Sequence, residues 1–248
     1  MLSGKCMAMN MEKVVNKPVK DSNIRFERKF LFQNCHVQDI IQSVYRNSYG
    51  FQEIFHKRQV NNLYFDDSNY NFYKQNVEGV ADRKKIRLRW YGDNTLKIEN
   101  PTIEIKKKMG EAGDKDSLRL KGRSLDLARH TPNDVHAFLL KNTEIYLAVH
   151  QALNRLHPTL INTYERLYFL SFCGRYRITV DFNQAFYNPN YVVLENSQKK
   201  INDIVLELKY APEADHEARQ VSQQIKTRLS KNSKYVNGIN LLYHNDLA

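Results

Sequence analysis

The feature that most constrains this chain is period-two alternation in which the row opposite the apolar one is charged rather than merely polar. Successive strand residues point to opposite faces, so each such segment sorts into two rows. In KKIRLRWYG, Ile86, Leu88 and Trp90 form one row and Lys85, Arg87, Arg89 and Tyr91 the other. In TIEIKKKMG, Ile103 and Ile105 oppose Glu104, Lys106 and Lys108; in DIVLELKY, Leu206 and Leu208 oppose Glu207 and Lys209. In GRYRITVDF, Tyr176, Ile178 and Val180 oppose Arg175, Arg177, Thr179 and Asp181. In NIRFERKFL, Ile24, Phe26 and Arg28 oppose Arg25, Glu27 and Lys29. An ordinary antiparallel sheet with one face in water alternates as well, but it mixes Thr, Ser and Gln among its charges. These rows favour Arg, whose planar fork suits phosphate oxygens. They also hold Glu27, Glu104 and Glu207, carboxylates of the kind that bind hard, phosphate-bridging cations.

If these rows faced inward in a closed barrel, about ten cations would confront one another unless water and an anion filled the lumen. A long, extended, multiply charged anion suits such a tunnel better than a compact one. Net charge agrees: 38 Lys and Arg against 27 Asp and Glu give +11, which favours an anionic partner. Aromatic residues are sparse on the charged faces, so a base-stacking nucleic-acid module is not expected.

The rest of the 248-residue chain supports one α+β domain over residues 23–248 behind a disordered leader at 1–22. Helical spacing is expected over 37–49, from a Thr131-Pro132 start onward through Ile145, Val149, Leu153 and Leu156, and over 214–229. Strands are expected at 59–67, 84–92, 96–100, 102–110, 163–171, 174–182, 191–195 and 203–211. Helices separate the strands in pairs instead of alternating with them, which argues for an antiparallel sheet over a doubly wound one. Three cysteines without CxxC spacing suggest neither a disulfide framework nor a zinc site, and fit a reducing cytoplasm. No apolar stretch approaches the roughly 18 residues needed to span a bilayer. No GxxxxGK[ST] or GxGxxG loop is present, so a nucleotide's phosphates would be held by side chains. An adenine pocket cannot be placed; Tyr64, Trp90, Tyr91 and Tyr235 are its candidates.

The motifs RFERKF, NLYFDD, KIRLRWYG, IEIKKK, TYERLYF, RITVDF, VLELKY and SKYVNGI, in that order, resemble the polyphosphate polymerase (VTC) domain family of the triphosphate tunnel metalloenzyme, or CYTH-like, superfamily. The resemblance covers residues 23–243. It implies a closed antiparallel eight-stranded β-tunnel with a charged lumen and helices packed outside, holding ATP and inorganic polyphosphate with Mn2+ or Mg2+. Carried over motif by motif, Lys29, Arg87, Arg89, Lys106, Arg166 and Arg177 become the catalytic cations. Arg25, Tyr64, Lys85, Lys108, Tyr164, Lys209 and Lys234 join them as substrate-binding residues. Glu207 becomes the metal ligand, with Glu104 and Glu27 as further metal-binding carboxylates.

The resemblance also implies transfer of the terminal phosphoryl group of ATP to a growing phosphate chain. Hydrolytic members carry ExExK in the first strand, whereas here Arg25 takes the place of the first carboxylate, as in the polymerase branch. Two alternatives stay open: a metal-dependent triphosphatase, and a non-catalytic module that binds polyphosphate or inositol phosphates. Association with a separate membrane protein is a further expectation from the family.

Overall fold

The computed structural model describes residues 25–109, 112–144, 146–191 and 193–243, with 108, 109 and 112–114 described by their backbone alone. The leader expected at 1–22, the apolar position Ile24 and the side chain of Lys108 lie outside the described residues. In chain order the elements are β1 (Phe26–Phe32), α1 (Val37–Tyr45), β2 (Gln52–Asp66), α2 (Asn71–Glu78), β3 (Asp82–Tyr91), β4 (Lys97–Glu99), β5 (Thr102–Met109), β6 (Ala112–Arg119) and β7 (Ser124–Asp126). They continue with α3 (Pro132–Thr143), α4 (Leu147–Leu153), β8 (His157–Leu170), β9 (Arg177–Tyr187), β10 (Lys199–Ile201), β11 (Ile204–Tyr210), α5 (Asp215–Gln223) and α6 (Lys234–Tyr243).

The alternating segments pair antiparallel in one large sheet of order β1-β11-β9-β8-β2-β3-β5-β6, with β10 attached to β9; β4 and β7 form a separate ribbon. The apolar rows face outward onto helices. Ile178, Val180, Leu206 and Leu208 pack with Ile40 and Val44 of α1 and Ala218 and Val221 of α5. Ile86, Leu88, Trp90, Ile103 and Ile105 pack with Val135 and Leu139 of α3 and Leu153 of α4. Arg28, on the outward row of β1, reaches Asp215 and Ser222 of α5 at 2.9 Å each. The sheet is therefore covered on its outer face, and its charged rows share the inner one.

The sheet is curled. Six strand-to-strand steps separate β1 from β5, about 29 Å in a flat sheet, yet Lys106 Nζ of β5 lies 2.9 Å from Glu27 Oε1 of β1. Register shifts along β2 and β8 supply irregularities at which such a sheet bends.

The expected closure is not found: the path ends at β1 and β6, which do not pair among the described residues. The reason is visible at the edge of β1. The segment after α5 runs beside it, with Leu229 bridging Phe30, Ser230 N donating to Lys29 O at 2.9 Å, and Thr227 Oγ1 donating to Leu31 O at 3.3 Å. Backbone groups that a closing strand would use are engaged by this strap. The same departure ends α5 at Gln223, short of the expected Leu229.

Two other expectations are corrected. The described residues of the apolar run at 191–195 form no strand; Leu194–Ser197 is a 3-10 turn held by Ser197 Oγ donating to Leu194 O at 2.7 Å. The segment SKYVNGI opens a helix, α6, that sits inside the curled sheet. Ile239, Tyr235 and Tyr243 of α6 bury against Tyr64, Leu160 and Phe186. Gly238 permits this seat, because a Cβ there would stand 2.5 Å from Leu160 Cδ2 and 2.6 Å from Phe186 Cδ1. No helix of the described residues is long and apolar enough to cross a membrane.

Candidate functional site

The inner face forms a cavity of about 450 Å³ walled by β1, β11, β9, β8, β2, β3, β5 and β6, with the N-terminus of α6 entering it. Its lining includes Arg25, Glu27, Lys29, Tyr64, Lys85, Arg87, Arg89, Lys106, Tyr164, Arg166, Arg177, Glu207, Lys209 and Lys234. Fourteen of the sixteen residues singled out in the sequence thus share one wall. Glu104 stands directly behind the wall, 6 % exposed at its side chain, and Lys108 is the position whose side chain is not described. Lys115, Tyr91, Tyr168, Thr179, Ser233 and Tyr235 complete the lining. Lys115 was not foreseen, because the AGDKDSLR segment that forms β6 has no apolar alternation to mark it as a strand.

Eleven Lys and Arg side chains line the cavity. Four carboxylates offset them, and Arg166 links two of the resulting knots. Glu104 receives Arg87 Nε at 2.7 Å and Nη2 at 2.6 Å, Lys115 Nζ at 2.8 Å, and Arg89 Nη1 at 3.7 Å. Asp181, fully buried, accepts two hydrogen bonds from Arg166 at 2.5 and 2.7 Å and one from Lys234 Nζ at 2.5 Å, which ties α6 to β9. Glu207 stands 2.9 Å from Lys209 Nζ, 3.2 Å from Lys29 Nζ and 3.7 Å from Arg166 Nη2. Glu27 holds Lys106 at 2.9 and 3.1 Å.

These knots set the protonation of the wall. Burial raises the Glu27 carboxyl, but Lys106, Lys209 and Lys29 outweigh it and hold the group down at about 2. Burial likewise opposes ionisation of Glu104 and Glu207, and the adjoining cations override it, so both stay well below the usual carboxylate range. Lys85 is the opposite case. It donates to Ser233 Oγ at 2.8 Å and has no carboxylate partner among the described residues. Burial first, then Lys29, Lys106, Arg83 and Arg87, push its ammonium down to about 6. Arg25 and Arg177 also have no ion pair among the described residues, whereas Arg89 is held by Asn62 Oδ1 at 2.9 Å and the Tyr164 hydroxyl at 3.4 Å.

The wall can therefore do two things. It can surround an extended anion with planar and point-charge donors, and it can hold several of those donors in place through the carboxylates paired with them. Thr179 Oγ1 is buried on this wall with no protein partner, beside Glu207 in the strand register. None of the lining side chains is a histidine, cysteine or aspartate. Among the described residues no group of three His, Cys, Asp or Glu is gathered into a metal cage. The carboxylates present suit a divalent ion that phosphate oxygens help to coordinate, as Mg2+ is commonly held by one or two carboxylates and its substrate. Glu27 and Glu207, close enough on β1 and β11 to influence each other's ionisation, are the pair that fits.

A family model described as the VTC domain matches residues 20–243. The chain belongs to the VTC domain family. Among curated proteins none matches the sequence. Two solved structures are similar to this VTC domain at low identity. The PH1819 protein from Pyrococcus horikoshii OT3 is 11% identical with a TM-score of 0.48, over 88% of this chain and 98% of that one. A candidate adenylate cyclase from Vibrio parahaemolyticus is 13% identical with a TM-score of 0.47, over 85% and 95%.

Proposed function

We propose that this VTC domain is a metal-dependent polyphosphate polymerase, moving the terminal phosphoryl group of ATP onto a growing inorganic polyphosphate chain. The observation that carries the reading is the excess of cations on one concave wall, eleven Lys and Arg side chains around one cavity. Phosphoryl transfer depends on in-line positioning and on neutralising charge on the equatorial oxygens. A terminal phosphate oxyanion is already deprotonated, so chain extension requires no general base.

In this reading Arg87, Arg89, Lys106 and Arg166 hold the phosphates around the reacting centre, with Lys29 and Arg177 beside them. Arg25, Lys85, Lys209 and Lys234 bind the remainder of the chain, and the hydroxyls of Tyr64 and Tyr164 orient Arg87 and Arg89. Glu27 and Glu207 would hold Mn2+ or Mg2+ together with phosphate, and Glu104 keeps Arg87 and Lys115 in place. The ion would supply further neutralisation of the transferring group's oxygens. Of the four aromatic candidates for adenine, Tyr91 alone is well exposed, whereas Trp90, Tyr64 and Tyr235 are buried.

The test is incubation of the purified protein with ATP and Mn2+ and analysis of the product on a gel. Long phosphate chains are expected. Orthophosphate as the sole product would replace the polymerase with a triphosphatase, and tight binding without turnover would make the domain a binder only.

A further inference from the structure

The lumen has two unlike ends. At one, α6 packs its apolar residues onto Tyr64, Leu160 and Phe186. At the other, the cavity opens between the start of β1, the start of β9 and the end of β11, and there it meets a second, surface groove of about 670 Å³. Three cations, Arg25, Arg177 and Lys209, line both spaces, so the two are continuous in charge as well as in position. The groove adds Arg175 from the β8–β9 turn, and its far wall is Ala211–Ala214 with the exposed Glu213. Arg25 and Arg177 are exposed and have no ion pair among the described residues, so two of the three shared cations are uncommitted. Arg175 is bound to Glu217 at 2.6 and 3.0 Å, a pair at the surface, where exchange for another anion costs little.

The wall from Lys85 to Tyr91 spans about 20 Å of strand, so a chain longer than the lumen must continue outside it. We infer that the groove formed by Arg25, Arg175, Arg177 and Lys209 is a second anion subsite, which takes the segment of a long phosphate chain that emerges from the open end of the lumen. This rests on the phosphate-chain reading and adds to it a direction and a chain-length preference. A chain short enough to lie within the lumen does not reach Arg175 or Glu213; a long one meets both, the first attractive and the second repulsive.

The experiment measures binding of tripolyphosphate and of a chain of several dozen phosphates to the whole protein by calorimetry at fixed salt. Arg175→Ala combined with Glu217→Ala removes the groove cation without leaving its carboxylate unmatched, and Glu213→Gln removes the repulsive charge. The double variant is expected to weaken the long chain roughly five- to tenfold, about 1–1.4 kcal/mol, and Glu213→Gln to strengthen it about two- to threefold, about 0.4–0.7 kcal/mol. Tripolyphosphate should stay within about twofold in both, a change of under half a kcal/mol. Equal changes for the two ligands, or none for the long chain, would overturn the groove subsite while leaving the lumen reading in place. Failure of the wild-type protein to bind either ligand would overturn both. Circular dichroism of each variant separates loss of folding from loss of binding, and Glu213→Gln, a gain, cannot be imitated by unfolding.

Discussion

Lys85 is the lumen cation whose surroundings least favour its charge. It is flanked on its own strand by Arg83 and Arg87, faces Lys29 from β1 and Lys106 from β5, and among the described residues its hydrogen-bond partner is the Ser233 hydroxyl. With its folded-state value near 6 against an ordinary 10.5, the unfolded chain binds the extra proton between those limits. Stability from this group therefore rises with pH across that window. An anion in the lumen reverses the balance and recharges the amine. Calorimetry of tripolyphosphate binding at pH 8, in buffers of different ionisation enthalpy, should show uptake of about one proton, vanishing at pH 5 and in Lys85→Met. Uptake that persists in Lys85→Met would refute the assignment. Arg87 calls for the opposite treatment. On charge repulsion alone its removal should relax the empty lumen, but its Nε and Nη2 both reach Glu104 Oε2, which makes it half of a largely buried pair. Arg87→Ala should lower stability by about 3 kcal/mol, and Arg87→Ala with Glu104→Gln should cost less than that. Chemical denaturation of the three proteins checks both values. Residues such as Arg87 and Glu104 were legible because alternation is local; their pairing in space, with Lys115 added, was not, because the three come from separate strands.

At the scale of elements, the strands with apolar rows could be read from the sequence and those without could not. β6 is polar apart from Ala112 and Leu118 and lies at the end of the sheet, so its composition shows no alternation that announces a strand. Helix α2 follows a similar rule. It depends on Asp66, whose carboxylate accepts from the backbone N–H of Phe72 and Tyr73 at 2.9 Å each and from the Tyr235 hydroxyl at 2.5 Å, contacts invisible to local spacing. Helix α6 was hidden by its central glycine, which weakens a helix by roughly 1 kcal/mol relative to alanine. Here the glycine is required by packing. Gly238→Ala gains that propensity but places a methyl against two fully buried side chains, Leu160 and Phe186. Overpacking of this kind costs typically about 1–3 kcal/mol. We expect a net loss of about 1–2 kcal/mol, a fall in Tm of roughly 2–8 °C for a protein of this size. Scanning calorimetry decides it, and an unchanged or raised Tm would mean that α6 can shift outward freely. Because Lys234 leaves the same helix to reach Asp181, the variant should also bind tripolyphosphate more weakly.

For the whole molecule, the balance of charge on the inner wall makes stability depend on pH at the acid end. Eleven cations are offset by Glu27, Glu104, Asp181 and Glu207, all with ionisation driven downward by the cations around them. A carboxylate depressed in the folded state contributes stability that is fully present above its unfolded value and is lost as pH falls toward the folded one. For Glu27 that window runs from 4.5 down to about 2. The other three lose their offsets in the same direction, so the wall becomes steadily more cationic as acid is added. In buffer without divalent metal, urea midpoints should fall slightly from pH 7 to 5, by the roughly 1.4 kcal/mol that protonation of Lys85 costs, and then drop more steeply between about pH 4.5 and 3 as the carboxylates are protonated. Glu27→Gln should be less stable than wild type at pH 6 and show a shallower drop, since its share of the offset is already gone. Tripolyphosphate should raise the whole profile, by about 2.7 kcal/mol at a hundred times its Kd. A profile flat to pH 3, with no gain from the anion, would mean that the cations do not repel one another across the curled sheet. The inner wall would then be ordinary solvated surface, which is what alternation in a single strand most often signifies.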